Sequence, residues 1–147
     1  MTPPDTATRK VRRTLLVVLL SHDSRTILLE RRPGEDAWWP LRVDVPPHHS
    51  YTRAVHRLQR HQKRRTGMRR CPVTGRLTVK TPAGRSHYLV VILKLARPEA
   101  AEAFSLSARW WPIPDANAVT VFPRELGILM TGYVEGWIPD GPITLDA

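Results

Sequence analysis

Two apolar runs open the chain. Leu15 to Leu20 is unbroken and stops at Ser21; after the polar turn SHDSR comes Thr26 to Glu30, TILLE. Short, continuous and bounded by turn residues, they predict buried strands paired as a hairpin, the first over Thr14 to Leu20. RRPGED breaks the second run, and AWWPL (Ala37 to Leu41) is a short extended piece. After RVDVPPHHS the period changes. Tyr51, Ala54, Val55, Leu58 and Gln62 share one helical face with cations on the others, which predicts a helix from about Tyr51 to Arg65. Ser50 or Thr52 can cap its start, and Gly67 suits the left-handed position past its end.

Arg76 to Thr81 and Ser86 to Ala96 flank the turn signal PAGR as a second hairpin, and HYLVVILKLA is apolar enough for a central strand. RPEAAEAFSLSA reads as a loop and RWWPI (Arg109 to Ile113) as a short extended piece. Leu126, Leu129, Met130, Tyr133 and Val134 mark a second amphipathic helix, with Pro123 near its first turn and Gly136 at its end. The tail GWIPDGPITLDA is turn-rich. This order predicts an α/β (α+β) fold with a mixed sheet between helices. MTPPDTATRKVR, residues 1–12, reads as a flexible lead-in, and residues 13–147 as one domain.

Composition adds charge to this outline. The formal net charge is +10, and from Val45 through Pro98 the chain holds thirteen Lys and Arg with no Asp or Glu. Such asymmetry points to a basic face and an anionic partner: nucleotide, nucleic acid or acidic protein surface. The single Cys71 cannot form an internal disulfide, and the six-residue run Leu15 to Leu20 is too short to span a bilayer or, lacking a cleavage site, to act as a signal peptide. A soluble, cytoplasmic protein with no membrane partner is expected.

The passage from Ala37 to Met68 resembles the Nudix hydrolase motif. In that family a tryptophan-proline lead enters a double-glycine loop, then a glutamate, then a helix ending Arg-Glu-apolar-x-Glu-Glu-x-Gly-apolar. Setting Gly67 on the last glycine aligns RHQKRRTGM, residues 60–68, with the helix end, Pro46 with the first glycine and Thr52 with the first glutamate. The buried hairpin, the strand at His87 to Ala96, RWWPIPDA and the FPRELGILMTGYVEGW helix are similar to the later parts of such domains. The resemblance covers residues 12–145 and implies a Nudix-like α/β/α sandwich.

It also implies where chemistry would sit, and there the sequence departs from the family. The magnesium-binding glutamates fall on His61, Arg64 and Arg65, Thr52 replaces the glutamate that pairs with Arg60, and proline replaces the loop glycine. Magnesium wants oxygen ligands, and a guanidinium is always protonated. No catalytic or metal-binding role is therefore expected at Thr52, Arg60, His61, Arg64 and Arg65, and no cofactor. Glu99, Glu102 and Glu125 lie outside the helix, and the histidines His48, His49, His56 and His61 match no zinc spacing.

What remains is a cationic helix. Arg57, Arg60, Arg64 and Arg65 offer planar donors for phosphate, and Trp38, Trp39 and Trp110 offer surfaces on which a base could stack. Three function classes follow: a non-hydrolytic module binding a nucleotide or other phosphorylated ligand, a basic nucleic-acid or protein interaction module, and a divergent Nudix hydrolase of nucleoside diphosphate derivatives, the only one that needs magnesium. A solvated cationic surface with core tryptophans would account for the same residues without any ligand.

Overall fold

The computed structural model describes residues 10–62, 67–97 and 108–146, with the side chains of Lys10, His61 and Gln62 outside that description. Its axis is β1, Lys10–Leu20, which begins three residues inside the stretch read from composition as a lead-in. Leu15, Val17 and Leu19 point to one side and Leu16, Val18 and Leu20 to the other, and all six are buried. A strand buried on both faces has no polar alternation, which is why it reads as a continuous apolar run. β2 (Thr26–Glu30) returns antiparallel after the SHDSR turn, with Leu20 opposite Ile27. β3 (Leu41–Asp44) pairs antiparallel with the middle of β1, Thr14 to Val17.

The helix α1, Tyr51–Gln62, follows β3. Ser50 caps it: its Oγ accepts the Arg53 amide at 3.1 Å. Residues 63–66, onto which the expected helix extended, lie outside the described residues. Gly67 has φ +55, the left-handed conformation that a helix-ending glycine supplies.

β4 (Arg69–Thr81) and β5 (Gly84–Lys94) form the second hairpin. β4 starts seven residues before the expected strand, across a register shift between Arg70 and Thr74 that contains Pro72. β5 runs parallel to β1 along eleven residue pairs. β6 (Ala108–Pro112) pairs with β2; the short α2 (Ile113–Ala116) and α3 (Leu126–Glu135) follow, and β7 (Gly141–Thr144) adds to β4 in the tail read as turns. The sheet order is β6-β2-β1-β5-β4-β7, with β3 beside β2 on the same edge of β1.

Each face has its own core. On one, Leu15, Val17, Leu19, Leu89, Val91 and Leu93 pack with Val55, Ala54 and Leu58 of α1. On the other, Leu16, Val18, Val90 and Ile92 pack with Leu126, Leu129 and Met130 of α3. This is the expected sandwich with a mixed sheet. Val134, expected on the buried face of α3, is 41% exposed, as is Ile128 at 58%. Among the described residues no helix is long and apolar enough to cross a membrane.

Candidate anion-binding cleft

The outward side of α1 is cationic. Arg53, Arg57 and Arg60 line a cavity of about 790 Å³ together with Ser50, Thr52 and His56. Among the described residues no carboxylate lines it. The ion pairs among the described residues all lie elsewhere, joining Arg32 and Arg42 to Glu30, Arg42 to Glu35 and Arg124 to Asp146. Arg64 and Arg65, expected to bind phosphate beside Arg57 and Arg60, lie outside the described residues, as does the side chain of His61.

A second cavity of about 580 Å³ opens between the start of α1 and the sheet, and sequence reasoning missed most of its lining. Strand alternation explains it. In β4 the odd positions Cys71, Val73 and Leu77 enter the α3-side core, so Arg70, Thr74, Arg76 and Thr78 face the α1 side. Their opposite numbers on β5 are Leu93, Val91, Leu89 and His87. α1 covers the β1 and β5 ends of these rows and leaves the β4 ends open. Thr52 lines both cavities, so they adjoin. The alternation of buried and polar residues in RRCPVTGRLTVKT was the available signal, masked by Pro72 and Gly75.

Arg13 organises the loop between β3 and α1. Its Nη2 donates to the carbonyls of Pro46, at 2.7 Å, and His49, at 2.5 Å. The His49 amide donates to Pro46 O at 2.9 Å, closing the turn. The guanidinium lies 5.5 Å from the centre of the Tyr51 ring, whose hydroxyl donates to His87 O at 3.2 Å. Thr78 Oγ1 and His87 Nδ1 are 2.9 Å apart across the strands. Burial raises the Tyr51 pKa against the opposing charge of Arg13. The His49 pKa is lowered, first by desolvation and then by Arg53, Arg57, His48 and Arg13. Cations surround it, and a second positive charge is resisted there.

The tryptophans do not gather at this cleft. Trp38 and Trp39 are tied by backbone bridges to Val121 and Glu30, and both pack against the α3-side core. Trp39 lies 4.2 Å from Phe122 on one side, with the Arg42 guanidinium 4.5 Å from its centroid. Trp38 meets the edge of Trp111 at 5.0 Å and carries Arg31 at 4.8 Å. Of the three residues expected to stack a base, only Trp110 packs with the α1-side core. The sheet itself separates the other two from α1.

Among the described residues that line the first cavity none is a carboxylate, and the guanidiniums of Arg53, Arg57 and Arg60 offer no lone pair to a metal ion. Among the described residues no three His, Cys, Asp or Glu come together as a metal site. Glu125, weighed as a replacement, accepts the Asp146 amide on the α3 side at 2.5 Å, while Glu99 and Glu102 lie outside the described residues.

No protein-family model and no curated protein sequence matches the chain. Solved structures do. The Ap4A hydrolase of C. elegans superposes with a TM-score of 0.65 at 16% identity, over 88% of this chain and 100% of that one. A NUDIX family hydrolase from Clostridium perfringens gives 0.57 at 11% identity, over 86% and 97% of the two chains. The fold is that of the Nudix hydrolases. The E. coli dihydroneopterin triphosphate pyrophosphohydrolase shares this Nudix fold with a TM-score of 0.58 at 16% identity, over 84% of this chain and 95% of that one.

Proposed function

We propose that this Nudix-fold protein binds a nucleotide or another phosphorylated small molecule on the cationic side of α1, without a metal. One observation carries the reading: Arg53, Arg57 and Arg60 share a cavity that no carboxylate among the described residues lines. Guanidiniums meet phosphate oxygens directly and in pairs, so the charge that magnesium neutralises in a metal-dependent site is met here by the helix. Thr52 and Ser50 add hydroxyl donors. Arg64 and Arg65 belong to this proposal on sequence alone.

Calorimetry with a panel of nucleoside mono-, di- and triphosphates, in EDTA and then in magnesium, tests it. Binding in EDTA, weakened roughly 10- to 100-fold by Arg57→Ala with Arg60→Ala, is the expected result, since each charge-assisted contact contributes about 1.5–3 kcal/mol before solvent screening. Binding seen only with magnesium sinks it.

A second reading has support of its own. The similar structures are hydrolases by name, and two of those names specify Ap4A and dihydroneopterin triphosphate, both phosphate esters. They fit hydrolysis of nucleoside diphosphate derivatives better than binding alone. Incubation with such substrates over several divalent metals decides between the two: repeated turnover that Arg64→Ala abolishes replaces the binding reading with this one.

A further inference from the structure

The cations on the sheet continue past the α1 cavity. Arg70, Arg76 and Lys80 stand on the α1-facing side of β4, and Arg85 faces Lys80 directly across the hairpin. Like charges placed directly opposite one another destabilise a strand pair. Both are exposed, and among the described residues neither has an ion-pair partner; nor do Arg70 and Arg76. Thr74, Thr78 and His87 fill the rows between them with donors. No carboxylate stands on these rows.

Length decides what such a stripe fits. Arg85 and Leu93, the partners of Lys80 and Arg70, are eight residues apart on β5, about 26 Å at roughly 3.3 Å per residue. That is room for on the order of four to eight phosphates of a nucleic-acid strand. Among the described residues, the large apolar side chains most exposed to solvent, Ile128, Val134 and Trp137, lie on or just after α3 on the opposite side of the sheet, leaving Val11 as the one on this face. A membrane surface is held by buried apolar side chains as well as charge, and this face has little to bury. Arg70 and Arg76 of the stripe also line the cavity beside α1, a groove rather than the open plane that a duplex would meet.

From these observations we infer that the β4–β5 face is a track for the phosphate backbone of a single-stranded nucleic acid, running from the hairpin tip beside Lys80 and Arg85 to Arg70. It is sequence-tolerant, because its donors meet phosphates and not base edges. The Tyr51 and His87 rings lie midway along it. The track adjoins the α1 cavity at Thr52, but its cations are not those of the nucleotide reading.

Fluorescence anisotropy with labelled 12-nucleotide oligouridylate and oligothymidylate, a 12-base-pair duplex, and vesicles of phosphatidylserine and phosphatidylcholine tests the inference across a salt series. Single strands bind, and Arg76→Ala with Lys80→Ala and Arg85→Ala lowers the slope of log affinity against log salt by about 2, from roughly 0.7 per phosphate contact. Arg85→Gln alone, an exposed single change that keeps the fold, lowers it by about 0.7. An unchanged slope in both variants, equal binding of duplex or vesicles, or no binding at low salt overturns the track. Arg57→Ala with Arg60→Ala, read by nucleotide calorimetry, reports on the α1 site separately, so either reading can fail while the other stands.

Discussion

Arg42→Ala should cost more than a surface arginine normally does. Its guanidinium grips Glu35 with two hydrogen bonds, at 2.6 and 2.7 Å, and Nε lies 3.5 Å from Glu30 Oε1. That last approach is an ionic contact and not a hydrogen bond, so Nε is buried without a hydrogen-bonding partner. The other side of the group covers Trp39, and Glu35 also accepts the Arg32 amide at 2.9 Å. Arg42 is 13% exposed and Glu35 26%. Exposed pairs contribute about 0.2–1 kcal/mol, and breaking a buried one costs about 3–5 kcal/mol. This pair lies between, so about 2–3 kcal/mol is expected, including the lost stack on Trp39. In a chain of this size that is roughly a 4–12 °C fall in Tm. Urea unfolding at neutral pH and 0.15 M salt measures it. The acid limb gives an independent check. Arg42 first, and then the Arg32 amide, pull the Glu35 pKa from 4.5 down to about 2. A carboxylate with a depressed pKa stabilises the fold above its unfolded pKa and loses that contribution as pH falls through the folded one. The advantage of wild type over Glu35→Gln should therefore be complete above about pH 5 and shrink steadily toward pH 2. A loss under about 0.5 kcal/mol in Arg42→Ala, or an advantage that stays flat from pH 5 to pH 2.5, refutes the reasoning.

Phosphate bound near Arg53 and Arg57 should raise the depressed His49 pKa, since an anion favours the imidazolium; NMR titration reads the shift, and phosphate affinity should rise as pH falls below the ordinary histidine value of 6.5. The same depression means that His49 favours the fold above pH 6.5 and loses that contribution as pH falls through its folded value. Ser50→Ala removes the α1 cap and should lower stability by about 1 kcal/mol in urea unfolding, with Ser50→Gly milder. Gly127→Ala would set a Cβ 1.5 Å from Asn117 Oδ1, so Asn117 must move and Tm should fall; pairing it with Asn117→Ala should restore most of the loss.

The parts of the fold that were legible are those where one physical demand controls the sequence. β1 and β5 are buried on both faces and so are apolar without interruption, and α1 shows its buried side because every other side is cationic. β4 was half hidden. Its open face needs only polar residues, and Pro72 sits in the register shift, where a strand tolerates the missing amide. β3 and β7 are four residues each, too short to show a period. For the site, the α1 arginines could be read from helical spacing, whereas Arg70, Thr74 and Arg76 could not, because they join the cleft through pairing with β5. The tryptophans divide for a related reason. Adjacent residues in a strand point to opposite faces, which sends Trp110 and Trp111 apart, and Trp38 and Trp39 are fixed by bridges to Glu30 and Val121 that leave no local pattern.

The Arg13 clamp makes two distant positions interdependent. From β1, one guanidinium seats the carbonyls of Pro46 and His49, 33 and 36 residues further along the chain. Proline at 46 holds its own φ, but only Arg13 fixes where the loop lies against the sheet. The cost of a change at 46 therefore depends on whether Arg13 is present, a non-additivity that a double-mutant cycle over the two positions would read directly.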